Sequence, residues 1–443
     1  MTWAHAHLWR HPALAILGVA LLLVLPPLAV RAGTRAWASL PLPVPSRRVA
    51  VTAAVAAGAL FLALGLLFPS HAICFDSVEF SIEVWKGQLR NLRWYLTLAS
   101  YHGALRAVAA IAPMPIPART FVPVVNAFAT GVAYVALAGA ARRLGRTRFE
   151  VGVITLLAWT AFGNLQLGLF YVDVYPVAQL AMALFAWTAL RALDGDGHPV
   201  WPILIAAVGP LFYIGLVLVA PAALVVVAAE LRRRGGLARV GVSILAAVVA
   251  TGGATMPAFG RPFAFRDLLE RLVASSGAAR GLSPDSSLLP ADYLFSAPHA
   301  LEIVQGWILV DGVGVLLSLT AGMVLLAKAL RGPLDLRTLL LAGLVGPVLL
   351  YAALMDPLWG PYLDWDLFSY GAVATSLFGA YALVVCGRGW PRERAFLAGL
   401  LVAASILHLC ARLNALEVDY RAHLAESPAH MSDVDEALAP PER

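Results

Sequence analysis

The sequence predicts an all-α fold, a polytopic transmembrane helical bundle of about twelve spans. Hydrophobic residues make up 60% of the 443-residue chain and charged residues only 13%, and the mean hydropathy is +0.79. A soluble domain carries roughly 25% charged residues, so this chain has too few to cover the surface of a soluble globule. This composition excludes a soluble enzyme, a disordered chain and a disulfide scaffold. Several apolar runs also reach the roughly 20 residues that a helix needs to cross a bilayer.

These apolar runs predict where the spans lie. Residues 200–230 form one long apolar stretch that Gly209-Pro210 and Pro221 interrupt. The interruption predicts two short spans with a turn between Gly209 and Gly215. Helices are expected throughout, because every backbone polar group inside lipid needs an internal partner. The other predicted spans cover residues 12–30, 49–68, 119–140, 150–171, 174–192, 239–257, 301–327, 338–355, 367–387 and 395–411.

Lysine and arginine predict the orientation of the spans. Nineteen of the 32 Lys and Arg residues fall on one side of the predicted bundle, together with only six of the 26 acids. Cytoplasmic loops carry such an excess of bases, so we expect this side to be cytoplasmic. The net charge of +6 is therefore a topology signal, and it does not indicate binding to nucleic acid.

The predicted organisation is one transmembrane domain, residues 1–411, followed by a polar external tail, residues 412–443, whose first fifteen residues are expected to form a short helix. Most loops are short, but three external segments stand out. Residues 69–118 and 258–300 are long, and residues 355–366 are rich in acids. Long loops in a compact protein are usually functional, so the candidate site is sought there.

The first external loop opens on an acidic segment. Apolar and charged residues each recur at steps of three and four over residues 76–96, which predicts one amphipathic helix lying flat in the membrane interface. A carboxylate at the mouth of a membrane cavity, Asp76 or Glu79, can act as a general base. Arg90 and Arg93 are candidates to hold a phosphate leaving group. Asp76 and Glu79 also fit a helix-capping pattern, so a structural role is the alternative.

Four short motifs, in this order, resemble elements of the GT-C type membrane glycosyltransferases. That family includes the protein O-mannosyltransferases and many bacterial relatives. Residues 76–80, Asp-Ser-Val-Glu-Phe, are similar to the first external loop of these enzymes, which carries an acidic catalytic base or metal ligand. Residues 101–103 and 171–175 resemble two further elements of a subgroup. Residues 364–369 resemble a segment that precedes a late span in bacterial relatives.

The resemblance covers most of residues 49–411, and it implies a GT-C-like fold. It further implies transfer of a sugar from a polyprenyl-phosphate carrier to an external acceptor. The protein would then be an integral, multi-pass protein of a bacterial inner or plasma membrane, surrounded by membrane lipids, with its active site on the external face. Asp76 would be the catalytic base and Glu79 would assist it, while His102, Asp173 and Tyr175 would contact substrate.

The second long loop carries several arginines, of which Arg261 and Arg266 are the main candidates. A guanidinium fork matches phosphate oxygens, and in a GT-C enzyme this loop would cover the lipid-phosphate donor. Pairing with the nearby acids Asp267 and Glu270 is the alternative. His299, at the end of this loop, is either a substrate ligand or a hydrogen-bonded residue at the start of the next helix.

Three acids outside the first loop complete the candidate list. Asp364 and Asp366, with Asp356, could bind a divalent cation through oxygen ligands. Asp366 could equally cap the next helix, so the metal is left open. Asp173 lies between two tightly joined spans, where an ionisable group is a site candidate, although a turn residue that caps the next helix is the alternative. We expect Asp76, Asp173 and the pair Asp364/Asp366 to converge on one external cavity.

Other functions remain as alternatives. A transporter or flippase would use the same cavity, with the broken stretch 200–230 as a moving element. An acyl-transfer enzyme with external loops and a structural membrane subunit are further alternatives. The cytoplasmic loops contain no nucleotide-binding motif, so a nucleotide-driven pump is not supported.

Overall fold

A computed structural model of the chain describes residues 12–35, 40, 46–67, 75–87, 94–111, 116–167, 173–259, 295–354 and 366–426. Every regular element within these ranges is a helix, which confirms the all-α prediction. Two of these helices are 3₁₀ helices, Ile214–Val219 and Gly387–Gly389. The α-helices are α1 (Pro12–Thr34), α2 (Arg47–Leu67), α3 (Phe75–Lys86), α4 (Tyr95–Ile111), α5 (Ala118–Leu144), α6 (Arg148–Thr160), α7 (Phe162–Gln166), α8 (Tyr175–Asp194), α9 (Val200–Phe212), α10 (Ala220–Leu231), α11 (Gly236–Phe259), α12 (Ala297–Ala329), α13 (Leu336–Leu354), α14 (Asp366–Ser369), α15 (Ala372–Cys386) and α16 (Pro391–Glu426).

Ten helical segments in the described part of the chain are long and apolar enough to cross a membrane, so the prediction of about twelve spans was too high. They support a multi-pass integral membrane protein. The predicted span 150–171 is interrupted, because α6 ends at Thr160 and Ala161 has a non-helical ψ of 125°. The Asn164 side chain then donates to the Ala158 carbonyl at 2.8 Å. This side chain takes the place of a backbone donor that a continued helix would supply.

The apolar stretch 200–230 is broken where the sequence predicts. The helix α9 ends at Phe212, and Tyr213 is extended before the 3₁₀ helix begins. Arg233, just after α10, donates to the Ala192 carbonyl at 2.6 Å, and Arg239 donates to the Gly197 carbonyl at 3.2 Å. Since α9 starts beside the same loop, the two arms form a hairpin whose ends lie together. Only the second arm, with its 3₁₀ segment, is long enough to count as a span.

The bundle core is built around α5, which packs between α2 and α8. The α2–α5 contact is close because glycines face each other: a Cβ added at Gly131 would lie 2.5 Å from the Gly58 backbone nitrogen. Small residues let membrane helices approach in this way. Further helix pairs pack α12 on α15, α9 on α11, α10 on α13 and α1 on α16. The last helix, α16, continues without a break to Glu426, so residues 413–426 continue the helix beyond the final candidate span, which ends at Arg412.

Ion pairs join the basic loops at one end of the bundle, which we call the basic end. Arg337 and Arg143 both pair with Asp194, at 2.7 and 3.4 Å, and so tie α13 and α5 to the end of α8. Arg388 and Arg394 pair with the buried carboxylate of Glu150, at 3.2 and 2.9 Å. These contacts support the prediction that the arginine-rich loops share one side.

The first external loop differs from its prediction. A single amphipathic helix over residues 76–96 was wrong, because α3 ends at Lys86 and Gly87 has a φ of +65°. Phe80, Glu83 and Val84 are buried, so this part of α3 packs inside the protein. Tyr95, near the end of the predicted helix, is fully buried and its hydroxyl donates to the Ala254 carbonyl.

Candidate functional site

The acidic helix α3 is held against α4 by two adjacent residues. The Phe80 ring meets the Tyr101 ring edge to face, with centroids 5.7 Å apart. The His102 Nδ1 atom lies 2.8 Å from the Val84 carbonyl oxygen, near the end of α3. His102 therefore anchors the first-loop helix in this structure, and this contact is distinct from the substrate role that the resemblance implies.

One acid of α3 turns towards the protein. Glu83 is only 8% exposed, whereas Lys86, three residues further on, is exposed. Phe80 and Val84 are buried as well, so Glu83 lies on the side of α3 that packs inside the protein. The side chains of Asp76 and Glu79 lie outside the described residues.

Asp173 is buried, with 3% exposure, just before α8. Its Oδ1 atom accepts a 2.5 Å hydrogen bond from the N–H of Val174, the N-cap residue of α8. Its backbone carbonyl accepts a 3.1 Å bond from Asn126 Nδ2, and Asn126 Oδ1 accepts from the Tyr101 hydroxyl. Burial, and then the charge of Asp173, raise the pKa of Tyr101 above its ordinary value. Tyr101 thus stays a neutral donor.

Three tyrosines connect Asp173 to the segment that begins at Asp366. Tyr175, two residues after Asp173, lies edge to face with Tyr213 at 5.2 Å between ring centroids. Tyr213 meets Tyr370 at the same distance, and Tyr370 directly follows α14. The start of α8, the turn at Tyr213 after α9, and the end of α14 therefore lie close together. Asp366 is the first residue of α14, but its side chain lies outside the described residues.

His299 lies in the first turn of α12 and is buried. Its backbone N–H donates to Ser296, the N-cap residue, and its Nε2 atom lies 2.8 Å from the Ala353 carbonyl oxygen. These contacts match the alternative of a hydrogen-bonded residue at a helix start. Ala353 lies near the end of α13. In the same turn, the Tyr351 ring packs against the Phe368 ring of α14, with the ring centroids 6.1 Å apart.

These contacts lie at the end of the bundle opposite to the basic end. Asp194 and Arg337, at the other ends of α8 and α13, belong to the basic end. Asp173 and the helices that contain Asp76 and Asp366 thus share one end. Whether their carboxylates converge on one cavity stays a prediction. Five predicted site residues lie outside the described residues: Arg90, Arg93, Arg261, Arg266 and Asp364.

No group of three or more His, Cys, Asp or Glu side chains that could hold a metal ion occurs within the described ranges. The acids proposed for a divalent cation, Asp356, Asp364 and Asp366, are not among the side chains described there. Binding of a divalent cation by these acids therefore stays a prediction.

A layer of buried polar side chains lies one to two helical turns after Asp173 along α8. The sequence did not predict this layer. Thr130 donates to Gln179 Oε1 at 3.3 Å, and Gln179 Nε2 donates to the Asn164 carbonyl at 2.7 Å. Asn164 Nδ2 also lies 3.4 Å from Ser376 Oγ. These contacts fix the orientation of the Asn164 and Gln179 amides. The polar layer therefore links α5, α7, α8 and α15 by hydrogen bonds.

Asp311 is a buried ionisable residue that was not among the predicted site residues. It interrupts α12 inside a membrane span, with φ −162° and ψ 66°, and is 3% exposed. Its Oδ1 atom accepts from the Gly314 N–H at 3.0 Å, so Asp311 caps the second half of the helix. An acid in the middle of an apolar run was the available signal.

The comparisons with known proteins add no family: no family model, no curated protein and no solved structure matches this chain.

Proposed function

We propose that this protein is a membrane glycosyltransferase of the GT-C type, which moves a sugar from a polyprenyl-phosphate donor to an external acceptor. One observation carries the proposal: the acidic helix α3 is docked, through Phe80 and Tyr101, onto the residues that hold Asp173. An acidic helix with one acid, Glu83, buried against the protein at the non-basic end of a multi-pass bundle suits a base that acts on a lipid-linked substrate. The arrangement supports the proposal together with the motif order in the sequence.

In the proposed reaction, the Asp76 carboxylate takes the proton from the acceptor hydroxyl or amine. The acceptor atom attacks the anomeric carbon in line, and the bond from that carbon to the phosphate oxygen breaks. The polyprenyl phosphate leaves with the bonding electron pair. Glu79 orients the acceptor, and the arginines stabilise the charge that develops on the phosphate: Arg90, Arg93, Arg261 and Arg266.

A transfer assay tests this function. The purified protein is supplied with a labelled polyprenyl-phosphate sugar and a panel of acceptors, and wild type is compared with D76N. The amide keeps the size of the side chain but does not accept a proton, so turnover should fall about a hundredfold or more. D196N, an acid at the basic end, is the matched control and should keep its turnover. Unchanged turnover in D76N with a competent donor and acceptor would contradict the proposed base.

A transporter or flippase is the second candidate, and the break in α12 at Asp311 favours it. Transporters use interrupted spans near the bilayer midplane to bind substrate and coupling ions. The hairpin of α9 and α10 is a second interrupted apolar segment. Flux of a lipid-linked sugar across vesicles, without covalent transfer, would favour this candidate over the transferase.

A further inference from the structure

The side-chain amide of Asn126 joins two parts of the candidate site. It accepts from the Tyr101 hydroxyl and donates to the Asp173 carbonyl at 3.1 Å, and all three residues are at most 3% exposed. Tyr101 in turn carries the edge-to-face contact with Phe80 of α3. A continuous path of contacts therefore runs from the acidic helix to the segment before α8.

We propose that Asn126 is a positioning residue, which fixes Asp173 relative to the acidic helix α3 during catalysis. This inference rests on the proposed glycosyltransferase function. An amide presents a donor and an acceptor at once, so it can serve the Tyr101 hydroxyl and the Asp173 carbonyl simultaneously. A carboxylate in its place would lose the donor, and an aliphatic side chain would lose both.

The Asp173 carbonyl depends on this amide because of where α8 begins. The first backbone hydrogen bonds of α8 run from Val177 and Ala178 to the Val174 carbonyl, one residue further on. The Asp173 carbonyl thus lies outside the helical ladder and takes its hydrogen bond from Asn126. Losing a hydrogen bond at a buried carbonyl costs free energy, so removal of the amide would shift this segment.

The segment has little other freedom. The Asp173 carboxylate is turned back onto the Val174 N–H, and Tyr175 is packed against Tyr213. Losing the amide of Asn126 therefore displaces Asp173, together with the first turn of α8, relative to α3. Displacements of about 1 Å at residues remote from the chemistry can cost a hundredfold in rate, chiefly in kcat.

Thr130 offers a matched control on the same helix. It lies one turn from Asn126, is fully buried and donates one hydrogen bond, to Gln179. T130V removes a buried hydrogen bond from α5 without touching Tyr101 or Asp173. N126L removes the amide at nearly constant volume, and Y101F removes only the hydroxyl while it keeps the ring against Phe80.

The experiment measures kcat and KM for sugar transfer in wild type, N126L, Y101F, N126L/Y101F and T130V, with thermal unfolding of each in detergent. We expect kcat to fall about tenfold or more in N126L and less in Y101F, with KM within about twofold. The double variant should be no slower than N126L, because both residues act through one path. A kcat of N126L or Y101F equal to that of T130V would overturn the proposal, and Y101F decides if N126L does not fold.

Amide hydrogen exchange, which needs no substrate, separates this inference from the proposed function. In N126L, exchange at residues 75–86 and 173–178 should accelerate together, while in T130V it should match wild type. If wild type transfers no sugar but the exchange pattern appears, the proposed function fails and the coupling stands. Unchanged exchange in N126L overturns the coupling whatever the activity.

Discussion

The Asp311 carboxylate accepts a 2.6 Å hydrogen bond from the Thr375 hydroxyl in the interior of a membrane span. Its other oxygen caps Gly314, so both oxygens are engaged by groups from α12 and α15. Ser318 adds a second link between these helices by donating to the Thr375 carbonyl at 2.9 Å. The kink in α12 is therefore held by side chains of both helices, and it is a defined feature of the bundle.

Removing the Asp311 side chain should destabilise the bundle. D311A leaves the Gly314 N–H and the Thr375 hydroxyl buried without this acceptor, which we expect to cost about 1–3 kcal/mol of unfolding free energy. T375V should cost less, because Asp311 keeps its bond to Gly314, and T375S should be close to wild type. Thermal unfolding in detergent measures this order. Equal stability of D311A and T375S would contradict the capping role.

Acidification should weaken the contact between α6 and the α15–α16 turn. Burial raises the pKa of the Glu150 carboxyl, but hydrogen bonds and charges from Arg388, Arg394 and the Arg146 N–H outweigh it and hold the pKa below its ordinary value. The stability that Glu150 contributes is therefore complete above about pH 4.3, the pKa of an unfolded chain, and is lost as the pH falls through the folded pKa.

The variant E150Q should test this interaction. At neutral pH it leaves two arginines without their charge partner, and removing one partner of a buried pair costs about 3–5 kcal/mol. The difference in stability between wild type and E150Q should shrink as the pH falls below 4. Thermal unfolding from pH 3 to 7 measures it, and a constant difference across that range would argue against the assignment.

The turn at Gly87 should not tolerate a side chain without loss of stability. Its φ of +65° costs other residues about 1–2 kcal/mol, and a Cβ there would lie 2.8 Å from His102 Nε2. G87A should therefore lower thermal stability and loosen α3. Gly103, one residue after His102, has nothing within 4 Å of an added Cβ. G103A is the control, and it should be neutral or slightly stabilising in its helix; equal losses in both variants would refute the steric argument.

Local patterns predicted most of the fold, because apolar run length and arginine placement are properties of the chain itself. The turn after α9 was predicted from Gly209-Pro210 in the same way. The break after α6 was not predicted in this way, because it depends on the hydrogen bond from the Asn164 side chain to the Ala158 carbonyl. Asp311 was visible in the sequence as an acid in an apolar run, but its contact with Thr375 joins residues 64 positions apart.

The candidate site was less predictable for the same reason. Periodicity placed Glu83 and Lys86 on one charged face, but Glu83 is buried and Lys86 is exposed. Which way the face points is decided by Phe80 docking on Tyr101, a contact between two helices that hydrophobic period alone does not encode. His102 and Tyr101 were selected by motif likeness, whereas their described roles are contacts to α3 and α5.

The orientation of the bundle can be tested with single cysteines. Phe295, 86% exposed, and Arg331, also exposed, flank α12 at its two ends. In a background without Cys74, Cys386 and Cys410, a membrane-impermeant maleimide should label F295C in intact cells and R331C only after permeabilisation. The reverse pattern would place the basic end outside, and labelling of both in intact cells would show that α12 does not cross.

The burial of Glu83 in α3 makes this residue a test of the proposed site. Glu83 lies two turns after Asp76 in the sequence of α3 and is buried, while Lys86 is exposed. E83Q keeps the side-chain volume but removes the negative charge, so we expect kcat/KM for sugar transfer to fall about tenfold or more. K86Q removes a charge from the exposed side and should leave kcat/KM within about twofold, as surface charges contribute little. If both variants kept full activity while D76N lost it, catalysis would depend on the first turn of α3 alone and the buried Glu83 would have no role in transfer.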